Sequence, residues 1–90
     1  MKFEWDDEKN IINKKKHGIS FETAAKVFND PLYIEVYDSD HSIEEDRYIA
    51  IGMVEDVLFV VFTERKQTIR LISARLATET ERRYYYDSEL

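Results

Sequence analysis

Six consecutive apolar residues, Val57-Leu58-Phe59-Val60-Val61-Phe62, place the strongest constraint on this chain. Valine and phenylalanine dominate the run, so it forms a strand, and a strand apolar at every position must be covered on both faces. The segment belongs at the centre of a sheet. Leu32 to Tyr37, Tyr48 to Met53 and Thr68 to Leu76 carry the β-branched and aromatic residues of its neighbours. The turns Val54-Glu55-Asp56 and Glu64 to Gln67 are short enough to fold the later strands into an antiparallel meander.

Helical spacing precedes these strands. Phe3 to Trp5 reads as a short extended stub, after which Asp6 or Asp7 caps a helix running to about His17, where Gly18 ends it. Ser20 caps a second helix, with Phe21, Ala24, Ala25, Val27 and Phe28 at helical spacing until Asp30-Pro31. Asp38 to Asp46 reads as a solvated acidic loop, and Thr78-Glu79-Thr80-Glu81 as a capping box that opens a short C-terminal helix. The expectation is one small α+β domain over residues 1–90. Two N-terminal helices pack on an antiparallel four-stranded sheet, with the short helix last. Helices arriving in one block cover one face and leave the other to solvent or a partner.

The net charge of −6 argues against a domain held to nucleic acid by bulk attraction. Residues 31–60 nevertheless carry one basic against eight acidic residues, so the deficit is local and the other two thirds are balanced. The absence of cysteine excludes a disulfide scaffold and a thiolate metal site. No apolar run exceeds those six residues, and Glu4, Asp6 and Asp7 stand where a signal peptide would be apolar, so a soluble cytoplasmic chain is expected.

Two groups of residues can carry chemistry. Lys9, Asn13 and Lys16 fall within about 60° of one another on a helical wheel, with His17 beside them at the last turn. This stripe is either a solvated face or a set of phosphate-binding lysines beside a proton-transferring imidazole. The other group is arginine: Arg47, Arg65, Arg70, Arg75, Arg82 and Arg83. Guanidinium forks match phosphate oxygens and can hold a charged transition state, although a salt bridge to Glu64 or the acidic loop explains any single arginine equally well. On an unbroken strand Arg70 and Arg75 take opposite faces, and only a bulge near Ser73 unites them. Tyr84, Tyr85 and Tyr86 can stack on bases, but at helical spacing at least one faces the core. Asp38, Asp40, Glu44, Glu45 and Asp46, with His41, match no metal-ligand loop, and no metal or cofactor is expected.

Several dense blocks resemble the BrnT family of toxins from bacterial type II toxin–antitoxin systems. They are Phe3-Glu4-Trp5-Asp6, Lys9, Asn13, Lys16-His17-Gly18, Ser20-Phe21-Glu22, Ala25, Phe28 and Asp30-Pro31, followed by Arg47, Ile51-Gly52 and Thr63-Glu64-Arg65. Ile69-Arg70, Ile72-Ser73-Ala74-Arg75, Ala77, Glu81-Arg82 and Tyr85 complete the pattern. The resemblance implies a RelE-like fold and an endoribonuclease that inhibits translation by cleaving RNA, free or on the ribosome. It also implies a BrnA-like ribbon-helix-helix antitoxin in a 2:2 complex that touches DNA only through the antitoxin. Cleavage by the 2′-hydroxyl needs no metal. For that reaction Arg65 and Arg75 would stabilise the phosphate, assisted by Arg47 and Lys16, with His17 or Glu64 moving the proton. Lys9, Lys16, Arg82 and Tyr85 would contact RNA. Leu76, Glu79 and Thr80 depart from the basic residues usual there, which weakens phosphate binding and keeps a non-catalytic interaction module or an inactive toxin homologue as the alternative.

Overall fold

The computed structural model describes residues 1–88. The elements are β1 (Lys2–Glu4), α1 (Asp7–His17), α2 (Phe21–Ala25), β2 (Ile34–Tyr37), β3 (Tyr48–Val54), β4 (Asp56–Arg65), β5 (Thr68–Leu76) and α3 (Glu79–Asp87). Single 3-10 turns lie at Lys26–Asn29 and Ser39–His41. No helix among the described residues is long and apolar enough to cross a membrane.

Local capping fixes the helix ends. Asp6 accepts the Lys9 N–H at 3.1 Å, and Gly18, at φ 74°, closes α1 by donating its N–H to the Lys14 carbonyl at 2.8 Å. Ser20 accepts the Thr23 N–H at 3.1 Å, and Thr78 and Glu81 complete the expected capping box of α3. The second helix stops at Ala25 and tightens into the 3-10 turn before Asp30-Pro31. Gly52 lets that turn pack directly on β3, since a Cβ there would lie 2.8 Å from Val27 Cγ1 and 3.0 Å from Tyr33 Cβ.

The strand order is β1-β5-β4-β3-β2, which puts the apolar run of β4 in the middle. The expected four-stranded antiparallel sheet is corrected to a five-stranded mixed one, because the N-terminal stub joins as β1, parallel to β5 with Phe3 opposite Ile69. Three residues are too few to show a strand period, and parallel pairing depends on the long connection between the partners. Phe21, Ala24 and Val27 pack with Ala50, Leu58, Val60, Phe62, Leu71 and Ala74 to form the main core under the helices. On the opposite face α3 covers one end, where Tyr85 packs with Ile51 and Val57. The acidic loop covers Thr63, whose Oγ1 donates to the Asp46 carbonyl at 2.6 Å, and Ile49, Phe59 and Val61 between the two covers are part-exposed.

Helix α1 turns its amides inward and its isoleucines outward. Ile11 and Ile12 are 65% and 57% exposed, whereas Asn13 is buried. The Asn13 carboxamide donates to the Ala74 carbonyl at 2.8 Å and the Ile19 carbonyl at 2.9 Å, and accepts the Ala74 N–H at 3.2 Å. It thus pairs with β5 as another strand would, beyond Arg70 where β1 stops. Asn13 therefore leaves the polar stripe assigned to it with Lys9 and Lys16, both of which are exposed. Asn10 adds a second seat, accepting the Phe21 N–H at 2.7 Å and donating to Glu22 at 2.8 Å.

Asp30 ties the 3-10 turn to both layers, accepting the Leu32 N–H at 2.9 Å, the Met53 N–H at 2.8 Å and the Tyr85 hydroxyl. Burial pushes its carboxyl up, but the hydrogen bonds from Tyr85, Met53 and Leu32 outweigh it and hold the group below the ordinary aspartate value.

Two outcomes follow from these contacts. Asn13→Ala strands buried backbone partners and is expected to lower stability by about 3 kcal/mol in urea unfolding, against less than about 0.5 kcal/mol for Lys15→Ala. A depressed folded pKa makes Asp30 stabilising above the ordinary value of about 3.9 and removes that contribution as pH falls through the folded value. The urea midpoint should therefore fall from about pH 4 downward, and Asp30→Asn should flatten this acid dependence while lowering stability at neutral pH.

Candidate functional site

One extra residue in β5 determines which side chains meet on this partly open face. Val61 pairs with Ser73 but Phe62 pairs with Leu71, so Ile72 forms a bulge. The strand is thus not unbroken, and the condition for uniting Arg70 and Arg75, a bulge near Ser73, is met. Arg70 pairs across the ladder with Thr63, Thr68 with Arg65, and Arg75 with Phe59, which gives all three arginines the same side of the sheet. The Asp38 N–H donates to the Arg47 carbonyl at 2.9 Å, extending the β2–β3 pairing one step past Tyr37 and Tyr48. Asp38 and Arg47 thereby fall on this side too. Four arginines from three parts of the chain project from the face opposite α1 and α2.

Two adjoining hollows mark this face and share His41 and Arg47. The first adds Arg65 with Glu44, Glu45 and Ile43. The second adds Arg75 and Asp38 around an apolar floor of Ile49, Phe59, Val61 and Ile72, with Ser73 beside it. Among the described residues no group of three histidine or carboxylate side chains converges as a metal-ligand set.

The arginines differ in how they are held. Arg75 lies 4.0 Å above the Phe59 ring and makes a bidentate pair with Glu81 at 2.8 and 2.9 Å. Those hydrogen bonds hold the Glu81 carboxyl below its ordinary value, against burial that pushes it up and together with the Thr78 N–H. Arg65 pairs with Glu45 at 3.1 Å, and Arg70 pairs with Glu4 at 2.6 Å, fastening β1 to β5. Arg47 forms no ion pair among the described residues while lining both hollows. A phosphate entering here meets one uncommitted guanidinium and two others whose carboxylate partners it can replace, because phosphate oxygens match the same fork.

The other residues singled out in the sequence lie elsewhere. Glu64 pairs with Ile69 and so points to the helix side, opposite its neighbour Arg65. His17 is exposed at the end of α1, and Lys9 and Lys16 are exposed along that helix; none of the three lines either hollow. Arg82 pairs with Asp56, and Tyr85 is buried with its hydroxyl on Asp30. His41, Asp38 and Glu81 also belong to this face, which their places in the sequence do not show. His41 is one of only two histidines and lies within the acidic stretch, which was the available signal, whereas Glu81 was already explained by its capping role.

No curated protein matches the chain. The family model "Ribonuclease toxin, BrnT, of type II toxin-antitoxin system" matches residues 5–81, a span that takes in Arg47, Arg65, Arg70 and Arg75 together with the start of α3 as far as Glu81. A match over that much of a 90-residue chain makes it a member of the BrnT ribonuclease toxin family.

Proposed function

We propose that this chain is an endoribonuclease toxin that cleaves RNA on the partly open face of its sheet, by metal-independent attack of a 2′-hydroxyl on the adjacent phosphate. The bulge at Ile72 carries the reading, because it turns Arg75 onto the side that already holds Arg47 and Arg65. The attack builds negative charge on the phosphoryl oxygens, and guanidinium groups fixed before the reaction stabilise that charge without reorganising. Arg47 binds the phosphate first. Arg75 and Arg65 follow by exchanging Glu81 and Glu45 for phosphate oxygens.

Arg70 serves the framework through Glu4. His17 and Glu64 are given no part in proton transfer, since neither lines the hollows. Arg82 is left as a contact to flanking phosphate, Tyr85 as packing beneath α3, and Lys9 and Lys16, which stand on α1 across the sheet, are given no RNA contact. Type II membership supports an antitoxin partner. We take it to be a BrnA-like ribbon-helix-helix protein in a 2:2 complex, with the cytoplasm and its mRNA as the place and object of action. One observation favours a second reading, a non-catalytic or inactive member: three of the four face arginines are neutralised by carboxylates.

Cleavage of a synthetic oligoribonucleotide by the purified chain in EDTA separates the two. Cleavage should persist in chelator. Arg47→Ala and Arg75→Ala should each lower kcat/KM by roughly 10- to 150-fold, the loss of one charge-assisted contact of about 1.5–3 kcal/mol, and Lys26→Ala should leave it unchanged. Abolition by EDTA, or full activity in both arginine variants, would contradict the mechanism.

A further inference from the structure

We propose that Asp38 and His41 form the proton-transfer dyad of this face, His41 as the catalytic base and Asp38 as its positioning residue. The inference rests on the ribonuclease reading of the arginine hollows and supplies the base that reading lacks.

The imidazole is placed for the task by three independent features. His41 borders both hollows next to Arg47, with Arg65 in one and Arg75 in the other. Its Nδ1 lies 3.1 and 3.0 Å from the two Asp38 carboxylate oxygens, so the carboxylate keeps the ring proton on Nδ1 and leaves the Nε2 lone pair free to accept. The exposures of the pair are asymmetric in the useful sense: the Asp38 side chain is 15% exposed and the His41 side chain 69%, an anchored carboxylate holding an accessible ring.

The loop is also fixed at its base. Ser42 Oγ donates to the Asp38 carbonyl at 2.6 Å and accepts the Arg47 N–H at 2.8 Å, while Asp38 and Arg47 are joined through their backbones at 2.9 Å. The backbones that carry the dyad and Arg47 are therefore one hydrogen-bonded unit, and both His41 and Arg47 border the two hollows from it. Such preorganisation is what general-base catalysis requires.

The step is a transesterification that balances without a co-reactant. His41 Nε2 takes the proton of the 2′-hydroxyl as the O2′–P bond forms. The P–O5′ bond then breaks with its electron pair passing to O5′, which takes a proton from water, and the imidazolium returns its proton to solvent. The products are a 2′,3′-cyclic phosphate and a 5′-hydroxyl end.

Oligoribonucleotide cleavage by wild type, His41→Ala, Asp38→Asn and Arg75→Ala chains, all checked for an unchanged thermal midpoint, tests the assignment. His41→Ala should lose about 100-fold or more in kcat with little change in KM, and added imidazole should restore activity in proportion to its concentration. Asp38→Asn should show a smaller loss, again in kcat. Wild-type turnover in His41→Ala alongside a crippled Arg75→Ala would overturn the dyad and leave the ribonuclease reading standing. A His41→Ala loss that imidazole does not restore would overturn the base role, and a wild type that fails to cleave would overturn both.

Discussion

The single inserted residue in β5 governs the architecture on both sides of the sheet. Up to Leu71 the strand alternates in step with β4, and after Ile72 it alternates in the opposite phase. Ala74 consequently faces the helices, where it is 1% exposed, and Arg75 faces outward onto the Phe59 ring. Without the bulge Arg75 would be driven beneath α1 and its charge buried at a cost of several kcal/mol. The Asn13 carboxamide holds the shifted phase by pairing with both backbone groups of Ala74. Helix placement and arginine placement are two results of one strand irregularity.

The acidic composition acquires a structural meaning on the same face. Glu4, Glu45 and Glu81 each satisfy one arginine, and Asp38 satisfies His41. A small sheet that exposed four bare guanidinium groups would repel itself. Pairing three of the four with carboxylates offsets that repulsion and leaves Arg47 without an ion pair among the described residues. Part of the net charge of −6 therefore belongs to carboxylates that face these arginines.

Much of this was legible in the sequence because it is decided locally. The unbroken apolar run required β4 to be central, Asp6, Gly18 and Ser20 marked helix ends, and the Thr78–Glu81 box opened α3 where it lies. What escaped depends on partners far along the chain. The parallel pairing of β1 joins residues more than sixty positions apart, as does the contact of Asn13 with Ala74. Asn13 on a helix with two adjacent isoleucines gives no sign that the amide, and not the isoleucines, faces the protein. For the site, the arginines stood out by type and the bulge was identifiable only as a condition. His41 could not be joined to Arg47 until the loop between them was seen to close through Ser42.

Reception of RNA on the bulged, arginine-bearing face is open to direct measurement. Chemical-shift mapping of the isotopically labelled chain with a 2′-O-methyl oligoribonucleotide, which binds but lacks the attacking hydroxyl, measures this directly. Shifts are expected at the backbone amides of Ile49, Val61, Ser73 and Arg75 and through the Asp38–Arg47 loop, with Ile11 and Lys15 of α1 unmoved. Shifts confined to α1, with the sheet face silent, would contradict it.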